Sequence, residues 1–164
     1  MRTLSTPQTH AVDTAGGSAK AKARALPCTV TKLHHFSRIV TQHYDAELSK
    51  VGLKTTQYWL LREVLAHGPV RPGDLAKAMS LSPSTLTRNL RTLISTGWLE
   101  LGPGIDERTR SVRITTSGSR KCAEGLPHWT TAQDRVHQLI GCREVSALHA
   151  LVEDCLASMS ATQD

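Results

Sequence analysis

Aromatic side chains are scarce in this 164-residue chain, with three Trp, two Tyr and one Phe making up 4% of the sequence. A core must therefore rest on Leu, Val, Ile and Ala, and many Leu and Ala with few β-branched runs favour helix. Long apolar runs are also missing. None approaches the roughly 18 residues of a membrane span, and the N-terminus lacks the apolar centre of a secretory signal. The four cysteines (Cys28, Cys122, Cys142, Cys155) form no CxxC pair. These absences predict a cytoplasmic protein with reduced thiols and no membrane partner. There is no Gly-rich phosphate loop, no nucleophile elbow and no carboxylate pair at a meaningful spacing, so neither an enzyme nor a cofactor is expected.

What is present is charge, unevenly placed. The formal net charge is +6. Residues 71–121 hold nine Lys/Arg against four Asp/Glu, whereas residues 122–164 hold two against six. The first 24 residues hold four against one. A basic middle followed by an acidic end points to a polyanion partner more than the total does.

Residues 1–26 are rich in Thr, Ser, Ala, Gly and Lys without periodicity, and read as a flexible tail. Leu33, Phe36, Val40, Tyr44 and Leu48 recur at helical spacing, predicting a first helix over about 27–50 that Gly52 ends. Thr55 or Thr56 is expected to cap a second helix with Tyr58, Leu61, Val64 and Leu65 on its apolar face, stopped by Gly68-Pro69. A short helix then carries Leu75, Ala76, Ala78 and Met79, and Ser80-Leu81 is a turn. Ser82 is a natural N-cap and Pro83 suits the first helical position. Leu86, Leu90, Leu93 and Ile94 mark the buried stripe of that fourth helix. Trp98 to Leu101 is strand-like, Gly102-Pro103-Gly104 breaks it, and Val112 and Ile114 alternate with polar residues in a return strand. Ser117 is expected to cap a long helix, interrupted and kinked near Gly125 and Pro127. A last helix spans about Val145 to Met159.

This order predicts a mainly α fold with a small β-hairpin wing: a winged helix-turn-helix over 53–117, flanked by helical dimerisation regions at 27–52 and 118–164. The first and last helices are too apolar for one small winged domain, and pooling them across two chains would bury them. The fourth helix would present Ser82, Ser84, Thr85, Thr87, Arg88 and Arg91 to a DNA major groove. Small hydroxyl residues permit close approach, and the planar fork of Arg88 matches guanine O6 and N7. Arg91 lies a turn further on, towards phosphate. At the wing tip Arg108 and Arg110 suit a narrow minor groove, with Asp106 orienting Arg108.

The string Asp106-Glu107-Arg108-Thr109-Arg110-Ser111-Val112-Arg113-Ile114-Thr115-Thr116-Ser117-Gly118 resembles the wing of the MarR family of bacterial regulators, D-x-R-x-x-x-(V/L)-x-(L/I)-T-x-x-G, at each fixed position. Leu53 to Tyr58 is similar to that family's second-helix start, and Leu75-Ala76 to its third. The resemblance spans about residues 28–160. It implies a homodimer whose two winged domains read a palindromic operator on double-stranded DNA. It also implies a repressor, released by a small phenolic or aromatic-acid inducer held between the dimerisation and DNA-binding parts. Family geometry would line that pocket with His35, Ile39, Tyr58, Trp59 and Arg62, with Arg62 pairing a carboxylate or phenolate.

Redox or metal sensing stays open as the alternative. Cys28 stands near the start of helix one, where a peroxide-sensing branch of the family keeps its reactive cysteine. Alignment through Tyr44 and Gln57 places Val30, two residues away, at that position, and Thr55 where that branch has tyrosine. His34, His35 and His43 lie on helix one, but no HxxxH or CxxC pair sharpens a metal site.

Overall fold

The computed structural model describes residues 28–104 and 109–161. The expected tail over 1–26 and the wing-tip residues Asp106 and Arg108 lie outside them. The described chain runs α1 (Thr29–Leu48), α2 (Thr55–His67), α3 (Pro72–Ala78), α4 (Pro83–Ser95), β1 (Leu99–Pro103), β2 (Arg110–Ile114), α5 (Thr116–Ile140) and α6 (Cys142–Ser160). It is the mainly α, winged helix-turn-helix arrangement predicted from periodicity.

Local chemistry explains most boundaries. A short 3-10 turn follows α1, and Gly52 then takes φ 67°, a left-handed value that favours glycine. Ser82 caps α4 by accepting a hydrogen bond from the Thr85 amide at 3.2 Å, and Pro83 follows at the first helical position. Two expected caps are corrected. Thr55 is the first residue of α2 rather than its cap, because its amide and hydroxyl both donate to Asp45 Oδ1, at 2.7 and 2.6 Å. The start of α2 is closed instead by Gln57 Oε1, which accepts from the Lys54 amide at 2.9 Å. Thr115, not Ser117, caps α5 through its hydroxyl and the Gly118 amide, while Ser117 donates to the Gly97 carbonyl. The hairpin extends through Pro103, beyond the expected break at Gly102, because Gly102 and Pro103 pair with Ser111 and Arg110.

The core of the winged half joins α2, α3, α4 and the hairpin. Leu60, Leu61, Val64, Leu75, Leu86, Leu90, Leu93, Leu99 and Val112 are all buried in one cluster. Each such side chain contributes about 1.5–3 kcal/mol relative to exposure. Leu65, expected on the buried face of α2, is instead half exposed, and Leu60 takes the buried position. Val70 adds a bridge to Val112 on the free edge of β2, making a minimal third strand.

The long helix α5 runs unbroken through Pro127. Gly125 in α5 is buried against Tyr58: a Cβ there would stand 2.7 Å from Tyr58 Cδ2 and 3.0 Å from Leu53 Cδ1. Helices α1 and α5 are further tied by Tyr44, whose hydroxyl donates to Gln133 Oε1. Gln133 in turn donates from Nε2 to His137 Nε2 at 2.8 Å. By contrast α6, 19 residues long, buries only Val145.

Gly118 closes the wing onto α5 because a Cβ there would collide with the Trp98 carbonyl oxygen. The obstacle is backbone and cannot rotate away. Gly118→Ala is expected to lower stability by about 1–3 kcal/mol through this overpacking, outweighing alanine's advantage of about 1 kcal/mol in a helix. Urea unfolding checks it, and an unchanged or higher midpoint would contradict the close approach.

Candidate functional site

The exposed face of α4 carries small hydroxyl residues at its start and arginines one and two turns later. Ser82 Oγ lies 3.1 Å from Ser84 Oγ and 2.9 Å from Thr85 Oγ1, so the three hydroxyls form one local network. Thr87 donates to the Pro83 carbonyl at 2.7 Å, which turns its methyl group outwards. Arg88 and Arg91 are exposed and make no ion pair among the described residues. Leu86, Leu90 and Leu93 anchor the opposite side of the helix. The structure therefore brings all six predicted α4 residues to an outer surface.

On the wing, Arg110 is exposed at the start of β2, opposite Pro103. Among the wing residues singled out in the sequence, Asp106 and Arg108 lie outside the described residues. Arg113, which sequence reasoning passed over, is also exposed and donates from Nη2 to the Pro103 carbonyl at 3.3 Å.

A cleft of about 600 Å³ opens between α1, α2 and α5. That size falls within the roughly 300–1,000 Å³ of small-molecule sites. Tyr58, Trp59 and Arg62 line it as expected, but His35 and Ile39 do not: both are exposed further up α1. Their places are taken by Val40, Thr41 and Tyr44, because the turns of α1 nearer its C-terminus are the ones that cross α2. Trp129 on α5 closes the far wall, with its ring 6.4 Å from that of Tyr44. Neither residue was singled out for this cleft from sequence. Tyr44 reads as a core position of α1, and Trp129 is 70 residues from Trp59 with no motif linking them.

The charge in this cleft is organised around Arg62. Its guanidinium carbon lies 5.2 Å from the Trp129 ring centroid and 6.0 Å from that of Tyr58. It makes no ion pair among the described residues. Glu63, the neighbouring carboxylate, is already engaged: Trp59 Nε1 donates to it at 3.3 Å and His67 Nδ1 lies 3.5 Å away. Burial raises the Tyr58 and Tyr44 hydroxyls above their ordinary pKa, so both remain protonated donors at neutral pH. The arrangement offers aromatic faces, the Tyr58 hydroxyl and a cation with no ion pair among the described residues, which suits a small planar anion. Among the described residues no group of three His, Cys, Asp or Glu side chains converges as metal ligands.

Comparison with known proteins bears on the family and the fold. A family model described as "MarR family" matches residues 51–108. The multiple antibiotic resistance protein MarR of Salmonella typhimurium is 30% identical over 113 residues, covering 66% of this chain and 77% of that protein. A variant of Escherichia coli MarR, solved in complex with operator DNA, superposes with TM-score 0.69 at 27% identity, covering 77% of this chain and 92% of that one. The Mycobacterium tuberculosis regulator MosR, solved in complex with DNA, gives TM-score 0.64 at 26% identity, covering 78% and 98%.

The cysteines occupy contrasting settings. Cys28 is exposed immediately before α1, and hydrogen bonding from the Thr31 hydroxyl, then from the Thr31 amide, holds its thiol below the ordinary pKa. Cys122 is buried on α5, and burial pushes its thiol up. A lowered pKa means more thiolate at neutral pH, and thiolate is the reactive form. Iodoacetamide at about neutral pH is expected to alkylate Cys28 well before Cys122. Thr31→Val should slow the Cys28 reaction. Mass spectrometry of quenched time points reads both, and equal rates at the two cysteines would contradict the assignment.

Proposed function

Because the chain belongs to the MarR family of DNA-binding transcriptional regulators, we propose that it is a homodimeric repressor that binds a palindromic operator and leaves it when an aromatic acid or phenol fills the α1–α2–α5 cleft. The observation that carries the reading is the outer face of α4. Its N-terminal hydroxyls let the helix sit deep in a major groove, and Arg88 stands one turn further on with no ion pair among the described residues. Ser82, Ser84, Thr85 and Thr87 then meet bases or phosphate, Arg88 reads a guanine edge and Arg91 meets the backbone. The hairpin enters the adjacent minor groove, with Arg108 and Arg110 reading its width and Asp106 steering Arg108.

Support for the second copy comes from apolar surface that one chain leaves uncovered. Val30, Leu33, Phe36 and Ile39 are exposed along α1, and Leu151, Val152, Leu156 and Met159 along α6. A long helix with one buried residue gains little from its own chain, since helices in proteins are held mainly by packing of an apolar face. Pairing these faces across a two-fold axis covers both. Two winged units so joined would engage half-sites about 34 Å apart.

Support for an anionic aromatic inducer comes from Arg62. A carboxylate entering the cleft finds a cation with no acidic partner among the described residues, and its ring finds Tyr44, Trp59 and Trp129. His35 and Ile39 would take part only through a rearranged or dimeric form of α1. The redox alternative rests on Cys28 alone, exposed and polarised by Thr31, and the alkylation order above tests its first requirement.

Fluorescence anisotropy on DNA from upstream of the protein's own gene, against a scrambled duplex, tests the operator reading. Arg88→Ala is expected to cost about 1–3 kcal/mol on the operator and to narrow the gap to scrambled DNA. Equal losses on both duplexes would show that Arg88 does not read bases. Arg62→Gln should raise the concentration of benzoate or hydroxybenzoate needed for release about tenfold while leaving ligand-free DNA binding intact. Unchanged release would remove Arg62 from the inducer site.

A further inference from the structure

Arg62 borders a second hollow besides the α1–α2–α5 cleft. A groove of about 440 Å³ lies between α2 and α5, walled by Leu65 and Ala66 on one side and by Cys122, Ala123 and Leu126 on the other. Tyr58, Arg62 and Ala66 line both hollows. On α5, Cys122 and Leu126 face the groove and Trp129 faces the cleft. These three recur at helical spacing, so groove and cleft lie end to end along one side of that helix. From Cys122 to Trp129 the helix rises only about 10 Å, a distance one small molecule can span.

The guanidinium stands at the junction of the two. It lies 5.2 Å from the Trp129 ring centroid on the cleft side and 6.0 Å from that of Tyr58, which both hollows share. Its charge also reaches into the groove: burial pushes the Cys122 thiol up, and Arg62 opposes that rise. Arg62 makes no ion pair among the described residues. The rest of the groove wall is chiefly apolar, and two of its large side chains, Leu65 at 51% and Leu126 at 49%, are only half covered. A benzoate ring between Trp59 and Trp129 would fill the cleft and leave the groove empty. With its carboxylate on Arg62, a substituent on the adjacent ring carbon leads past the guanidinium into the groove. A substituent on the opposite carbon points away from it.

We propose that the α2–α5 groove is a second arm of the inducer site, and that the inducer is a two-armed aromatic acid. One ring lies in the cleft, the carboxylate pairs with Arg62, and a second apolar group ortho to that carboxylate lies against Leu65, Ala123 and Leu126. The charged group is thus in the middle of the ligand, where the protein places its cation, and both ends are apolar, where the protein offers apolar walls. This rests on the cleft being the inducer site and names the class of acid that fills it.

The test is calorimetric titration of the full chain with benzoate, biphenyl-2-carboxylate and biphenyl-4-carboxylate. The two biphenyls carry the same rings and charge and differ only in where the second ring is attached. Biphenyl-2-carboxylate is expected to bind about tenfold more tightly than either benzoate or the 4-isomer. Ala123→Phe, which fills the groove, should abolish that advantage, and Arg62→Gln should weaken all three acids. If benzoate binds through Arg62 but the 4-isomer equals the 2-isomer, or the 2-isomer keeps its advantage in Ala123→Phe, the cleft reading stands and the groove is no part of the site. If none of the acids binds, or Arg62→Gln changes none of them, both readings fail. A 2-isomer without advantage, together with an Ala123→Phe protein that sediments as a smaller species than the parent, would assign the groove to a second copy of the chain and overturn the proposal. Should Ala123→Phe not fold, as judged by its circular dichroism melt, Ala123→Leu decides.

Discussion

The contact between Tyr58 and Gly125 is the constraint on which the rest of the structure depends. Tyr58 is buried in α2, at the centre of the winged unit, and its ring occupies the space that any side chain at Gly125 would need. The long helix α5 is thereby pressed flat onto the DNA-reading half. Above that contact α5 meets α1 through Tyr44, Gln133 and Trp129 and leads into α6. Below it α5 begins at the wing, where the Thr115 cap and Gly118 bind it to Trp98 and Gly97. One helix thus ties the hairpin to α1 and to the largely exposed helix α6.

Much of this was legible in the sequence because the physics is local. Ser82-Pro83 announces the start of α4 by capping and by the fixed φ of proline, and the Leu86, Leu90, Leu93 spacing shows its buried side. The hairpin was legible through the alternation around Val112 and through Gly97. What the sequence hid was set by contacts distant along the chain. Thr55 has the side chain of a cap, but Asp45 on α1 claims its hydroxyl. Ser117 likewise loses the cap to Thr115, because the Gly97 carbonyl is within its reach. Leu65 fits the apolar period of α2, yet the described residues leave it half exposed.

The cleft shows the same division. Tyr58 and Trp59 lie one turn before Arg62 on α2, and the family resemblance grouped them. His35 and Ile39 were placed one to two turns too early on α1, because the level at which two helices cross depends on tertiary packing. Trp129 was invisible from α2 altogether. Yet it changes the chemistry most, since its ring is the surface over which Arg62 is held.

In the ligand-released dimer proposed above, the position of the cleft would decide how an inducer acts. A ligand changes DNA affinity only if it binds two arrangements of the protein with different free energies. The pocket is walled by α1, α2 and α5, and α2 belongs to the winged unit while α1 carries exposed apolar residues that the proposed second copy would cover. A rigid ring wedged between Trp59 and Trp129 would therefore fix the angle between those parts. Two winged units held at one angle present their α4 helices at one spacing, while B-form DNA demands about 34 Å. A shift of a few ångströms in that spacing removes simultaneous engagement of both half-sites without altering any base-reading residue. Under the proposed function, control by geometry of this kind would need no contact between ligand and DNA, and it would place the sensitivity of the system in the packing of Tyr58 on Gly125.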